Sequence, residues 1–111
     1  MNRDTLNAEL EAAHNAHPLP KPCPRCFALD RSRPGAEFQM YRCAACVGAT
    51  HTAQLALWRA QWRILRRHRD GIVVITRSDR LDIEWLNQRM QQLVVAAKGV
   101  AALQVVETQC A

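Results

Sequence analysis

Two short cysteine pairs, Cys23-Pro24-Arg25-Cys26 and Cys43-Ala44-Ala45-Cys46, separated by sixteen residues, constrain this chain more than anything else in it. Paired C-x-x-C turns at this separation match the spacing of a four-thiolate metal site. Each pair supplies two sulfurs from a tight knuckle, and a hairpin between them brings the knuckles face to face. The intervening residues suit that path. Phe27–Leu29 can leave the first knuckle as a strand, and Arg33-Pro34-Gly35-Ala36 has the chemistry of a turn. Phe38–Arg42 then returns as an alternating, aromatic strand into Cys43. Four thiolates close a tetrahedron and leave no position for water, so the site reads as structural and not catalytic. Zn²⁺ is the expected ion; iron, which accepts the same donors, is the alternative.

Other uses of these thiols fit less well. A disulfide framework needs an oxidising compartment, and Met1–His17 is polar and acidic, with no secretory signal. A thioredoxin-like pair would need no second pair downstream. A metal-binding segment of about 25 residues buries too little apolar surface to fold alone, so metal binding and folding are expected to be coupled there. Cys110, next to the last residue, is left over as a free thiol, with dimerisation or a fifth ligand as lesser roles.

The front and back of the chain differ in character. All five prolines lie within the first 34 residues. Asp4–Ala16 predicts a short helix capped by Asp4, with Leu6, Leu10 and Ala13 at helical spacing. Pro18–Pro22 then reads as a stiff, extended linker. Thr52–Arg69 predicts a long helix capped by Thr50 or Thr52, with Leu55, Trp58, Trp62 and Leu65 on one stripe. Ile72–Thr76 is a β-branched run that reads as a buried strand. A second long helix is expected from Ser78 or Asp79, with Ile83, Leu86, Met90, Leu93, Val94 and Ala97 on its apolar face. Lys98-Gly99 reads as its stop. Val100–Val106 reads as a further strand, with a continued helix as the rival. The expected fold is α+β: a zinc ribbon of two knuckles and a β-hairpin, then a helix–strand–helix(–strand) extension, packed as one compact domain. The expected divisions are 1–20 (helix and linker), 21–48 (metal-binding segment) and 49–111 (extension). No stretch is long enough to span a membrane.

The net charge is +5, and its distribution is uneven. Residues 1–20 carry −2, residues 21–46 carry +3, residues 47–78 carry +5 and residues 79–111 carry −1. Four thiolates on Zn²⁺ add −2, which leaves the helix over 52–69 as the main positive surface. Thirteen of the fifteen basic residues are Arg, whose planar fork binds phosphate in pairs of hydrogen bonds and stacks on bases. Arg59, Arg63, Arg66 and Arg67 are therefore candidate nucleic-acid contacts, with Arg25 and Arg42 added from the metal-binding segment. The same stripe also fits a solvated helix face or an acidic protein partner.

Trp58 and Trp62 read as core. Trp85 lies off the main apolar face of its helix and is either a protein-contact residue or a packing residue on the preceding helix. His14 and His17 are weak candidates for a second metal site, and His51 is a weaker ligand than Cys46. There is no paired-carboxylate arrangement, no nucleophile with a base and no phosphate-cradling Gly loop, so an enzyme is not expected.

The knuckles and hairpin resemble the zinc-ribbon family of transcription factors, ribosomal proteins and transposase N-terminal domains. Tyr41-Arg42-Cys43-Ala44-Ala45-Cys46 is especially similar to the second knuckle of the transposase type. A small phage zinc-binding regulator is similar in size and in having one four-cysteine site. The resemblance covers residues 21–48 only. It implies a structural metal and a role in binding nucleic acid or docking a protein. Two functions are carried forward. One is a cytoplasmic, non-enzymatic zinc protein that binds nucleic acid in a regulatory role. The other is a protein-interaction module of phage or mobile-element type that docks on a host protein. Neither implies a membrane or a small-molecule substrate, and a second copy of the chain is a further candidate partner.

Overall fold

The computed structural model describes residues 1–21, 23, 24, 26 and 43–102. Among them the regular structure is three helices, α1 (Arg3–Ala16), α2 (Ala44–Asp70) and α3 (Arg77–Ala102), with no strand. The α+β expectation is therefore corrected to an all-helical arrangement, and no zinc ribbon is seen among the described residues. The hairpin expected over 27–42 lies outside them.

Each helix begins where a side chain satisfies its first free N–H groups. Asn2 caps α1, its side chain accepting from Asp4 N–H at 3.0 Å and Thr5 N–H at 3.2 Å. Asp4, the expected cap, is instead an acidic residue of the first turn, where the helix dipole favours it. In α2 the cap is Cys43, whose Sγ accepts from Cys46 N–H at 3.5 Å. The second cysteine knuckle is thus the first turn of a 27-residue helix, and the helix starts well before Thr52. Thr52 lies inside it, its hydroxyl donating to Gly48 C=O at 2.9 Å. Nothing in 44–51 breaks a helix, because the sole glycine there costs only about 1 kcal/mol. The expected boundary between 48 and 49 falls within this continuous helix.

Helix α3 starts at a reciprocal cap. Asp79 Oδ2 accepts from the N–H groups of Ile75 and Thr76, and Asp79 N–H donates to Thr76 Oγ1. The same helix runs through Lys98-Gly99 to Ala102, so the strand expected from Val100 is replaced over 100–102 by helix. Residues 103–106 lie outside the described set.

The expected strand Ile72–Thr76 is also corrected. It is neither helix nor strand, it has no partner strand among the described residues, and it serves as the connection between α2 and α3. Val73 and Ile75 are 74% and 81% exposed. β-Branching favours extended backbone locally, yet a strand exists only where another strand completes its hydrogen bonds.

This short connection makes α2 and α3 an antiparallel hairpin. Arg69, late in α2, donates to Asn87 Oδ1, early in α3, at 2.9 Å. At the connecting end α1 packs on α2 and meets α3 through Arg3, which lies beside Asp82 and Trp85. Leu6, Leu65, Leu86 and Met90, drawn from all three helices, form the buried core, with Leu10, Trp62, Ile64, Trp85 and Leu93 around it. Each buried leucine contributes about 1.5–3 kcal/mol relative to exposure. Ion pairs hold α1 at its start and at its middle. Arg3 Nη2 lies 3.7 Å from Asp82 Oδ1 of α3, and Arg67 Nη2 of α2 lies 2.7 Å from Glu9 Oε1.

Candidate metal centre

Cys23, Cys26, Cys43 and Cys46 come together at the N-terminus of α2, with their sulfurs within 4.8 Å of one another. A tetrahedral ion with metal–sulfur distances near 2.3 Å needs sulfur–sulfur edges of about 3.8 Å, so the cluster fits one such ion with small adjustments. Cys26, Cys43 and Cys46 are buried, and Cys23 is half-buried. Among the described residues no other group of three or more His, Cys, Asp or Glu side chains converges in this way. His14, His17 and His51 take no part in the cluster.

Backbone amides thread the site together. Cys23 N–H donates to Cys46 Sγ at 3.2 Å, and Cys43 N–H donates to Cys26 Sγ at 3.2 Å. These bonds link the first knuckle to the second across a sequence gap and favour thiolate over thiol. The helix dipole acts in the same direction, placing about half a positive charge beside sulfurs that carry a net −2 when four thiolates hold a divalent ion. Cys26 shows the competition. The Cys43 N–H pulls its pKa down, but burial and the neighbouring Cys23 and Cys46 sulfurs push it up, and the net shift is upward. A metal cation offsets that crowding, and its binding must release protons.

The structure places the arginine candidates unequally. Arg59 and Arg63 are exposed, one turn apart on α2, and have no ion-pair partner among the described residues. Arg66 lies 3.6 Å from Asp70 and over the Trp62 ring at 5.4 Å. Arg67 is paired with Glu9, which also bonds His68. Arg25 and Arg42 lie outside the described residues, as does Cys110. Trp85 is half-buried against the core, with the Arg3 guanidinium 4.3 Å from its ring centre and Arg89 at 5.8 Å.

Sequence reasoning missed the carboxylates that neutralise half of the arginine stripe. Asp70 was legible, because Arg66 and Asp70 stand four apart on one helix. Glu9 carries no such signal, being 59 residues from His68. The bond to His68 is the main cause that holds the Glu9 carboxyl below its ordinary range; burial opposes it, and Arg67 adds to the lowering.

No family model matches the chain, and comparison with curated proteins and solved structures finds no significant similarity. The zinc-ribbon resemblance therefore rests on the two knuckles alone. Among the described residues no helix is long and apolar enough to cross a membrane.

Proposed function

We propose that this is a small, non-enzymatic protein in which one Zn²⁺ on Cys23, Cys26, Cys43 and Cys46 fixes the start of α2, and the basic face of α2 binds the backbone of a nucleic acid in a regulatory role. Zinc is preferred to iron because four cysteine thiolates close a tetrahedral structural site of the kind that zinc fills. A four-thiolate metal site of this kind would fit a cytoplasmic setting. The observation that carries the nucleic-acid reading is the pair Arg59 and Arg63. Elsewhere on α2 the arginines have carboxylates of this chain beside them, but these two are exposed without one among the described residues. Cations without internal counter-ions on a rigid helix are suited to phosphates.

A second reading is favoured by a separate surface. Val73, Val74, Ile75 and Leu81 are exposed together around the turn between α2 and α3, an apolar patch suited to protein docking. Titration of the zinc-loaded protein with labelled oligonucleotides across a range of salt separates the two. We expect binding to weaken steeply with salt, and Arg59→Ala/Arg63→Ala to reduce the log–log slope by about 1.5. Arg67→Ala, whose guanidinium is held by Glu9, should change it less. Absence of binding at low salt, or binding indifferent to salt, would refute the nucleic-acid reading and leave protein docking at the 73–81 patch.

A further inference from the structure

We infer that the nucleic acid is single-stranded and that one of its bases stacks in the groove between α2 and α3 beside Arg59. This rests on the nucleic-acid reading and narrows it. The groove holds about 300 Å³ and is walled by Leu55, Trp58 and Trp62 on α2 and by Leu93, Val94 and Ala97 on α3. At roughly 30 Å³ per water, that is space for about ten heavy atoms, the size of one base. Trp58 and Trp62, which the sequence assigned to the core, are only half-buried and line an open groove. The wall between them and α3 is apolar, and its polar member is Arg59, which is exposed and unpaired among the described residues.

That composition selects the form of the ligand. A duplex keeps its bases stacked and offers their edges in the grooves, which are read by hydrogen-bonding groups. The groove between α2 and α3 offers almost none. A single strand can turn out an unstacked base, and its π-face packs on tryptophan without regard to sequence. Arg59 at the rim and Arg63 one turn further along α2 then meet the flanking phosphates. Charge complementarity and an aromatic platform thus coincide on one stretch of one helix. Binding is expected to tolerate many sequences, because the walls of the groove are apolar and Arg59 at its rim is directed to phosphate.

The test uses full-length, zinc-loaded protein at low salt with three probes of equal length: oligo(dT), an abasic strand and a mixed-sequence duplex. Oligo(dT) should bind about tenfold or more tightly than either of the others and should quench tryptophan fluorescence. Trp58→Leu keeps an apolar side chain in the groove. It should weaken oligo(dT) about tenfold while leaving duplex affinity unchanged, with helicity checked by circular dichroism. The abasic strand needs no protein variant, so the outcome stands even if Trp58→Leu fails to fold. Equal affinity for oligo(dT) and the abasic strand, or for oligo(dT) and duplex, would overturn the stacking inference while leaving the basic-face reading intact. No binding of any probe would overturn both.

Discussion

Cys43 has two roles that a single substitution can separate. Its sulfur caps α2 by accepting from Cys46 N–H, and it is one of the four clustered sulfurs. Serine is a strong N-cap but a poor ligand in a thiolate set. Cys43→Ser should therefore abolish stoichiometric metal binding, read by atomic emission, while its helicity matches that of the metal-free parent. Cys46→Ser should lose metal equally and also lose the sulfur that Cys23 N–H bonds. A Cys43→Ser protein that still carries one ion per chain would show that Cys43 is no ligand. Because Cys26 is raised by burial and by its neighbours in the metal-free state, apparent metal affinity should climb with pH as these thiols ionise.

The strap formed by α1 gives a prediction at the level of the element. Glu9 is held below its ordinary pKa, first by His68, so its contribution to stability is present above the unfolded value and is lost as pH falls through the lower folded value. At neutral pH Glu9→Gln should destabilise α1 docking by about 0.5 kcal/mol, as expected for a half-exposed ion pair. The difference from the parent in thermal melts should vanish in acid, once both side chains are neutral. A difference that persists unchanged in acid would mean that packing, not charge, sets the effect. The interiors of these helices were legible in the sequence. Leu6 on α1, Leu65 on α2, and Leu86 and Met90 on α3 all fell on predicted apolar faces and form the core. Their ends were less so. The start of α2 was hidden because a cysteine caps it, and a C-x-x-C pair is read first as metal chemistry. Ile72–Thr76 was misread because a β-branched run has strand propensity whether or not a partner strand exists. Gly99 was misread because a good stop signal does not outweigh the Ala-rich helix on either side of it.

Across the whole molecule the two buried clusters are separate. The leucine and methionine core lies at the connecting end of the hairpin, and the cysteines lie at the start of α2. The metal should therefore secure one end of the protein without being required for the other. Chelation should abolish amide-exchange protection over about the first two turns of α2 and leave the segments around Leu65 and Leu86 protected. Cooperative loss of protection throughout would show instead that the hairpin depends on the metal. The four-cysteine cluster was visible from spacing alone, because two C-x-x-C pairs allow few other arrangements. The neutralising contacts from α1 were not, since they depend on how distant helices pack. The most direct measurement is X-ray absorption spectroscopy at the zinc edge on protein purified without added metal, with total metal counted on the same sample. We predict one zinc per chain surrounded by four sulfurs at about 2.3 Å. Zinc with nitrogen or oxygen ligands, iron in its place, or a folded protein with no bound metal would contradict the assignment of Cys23, Cys26, Cys43 and Cys46 as a structural zinc site.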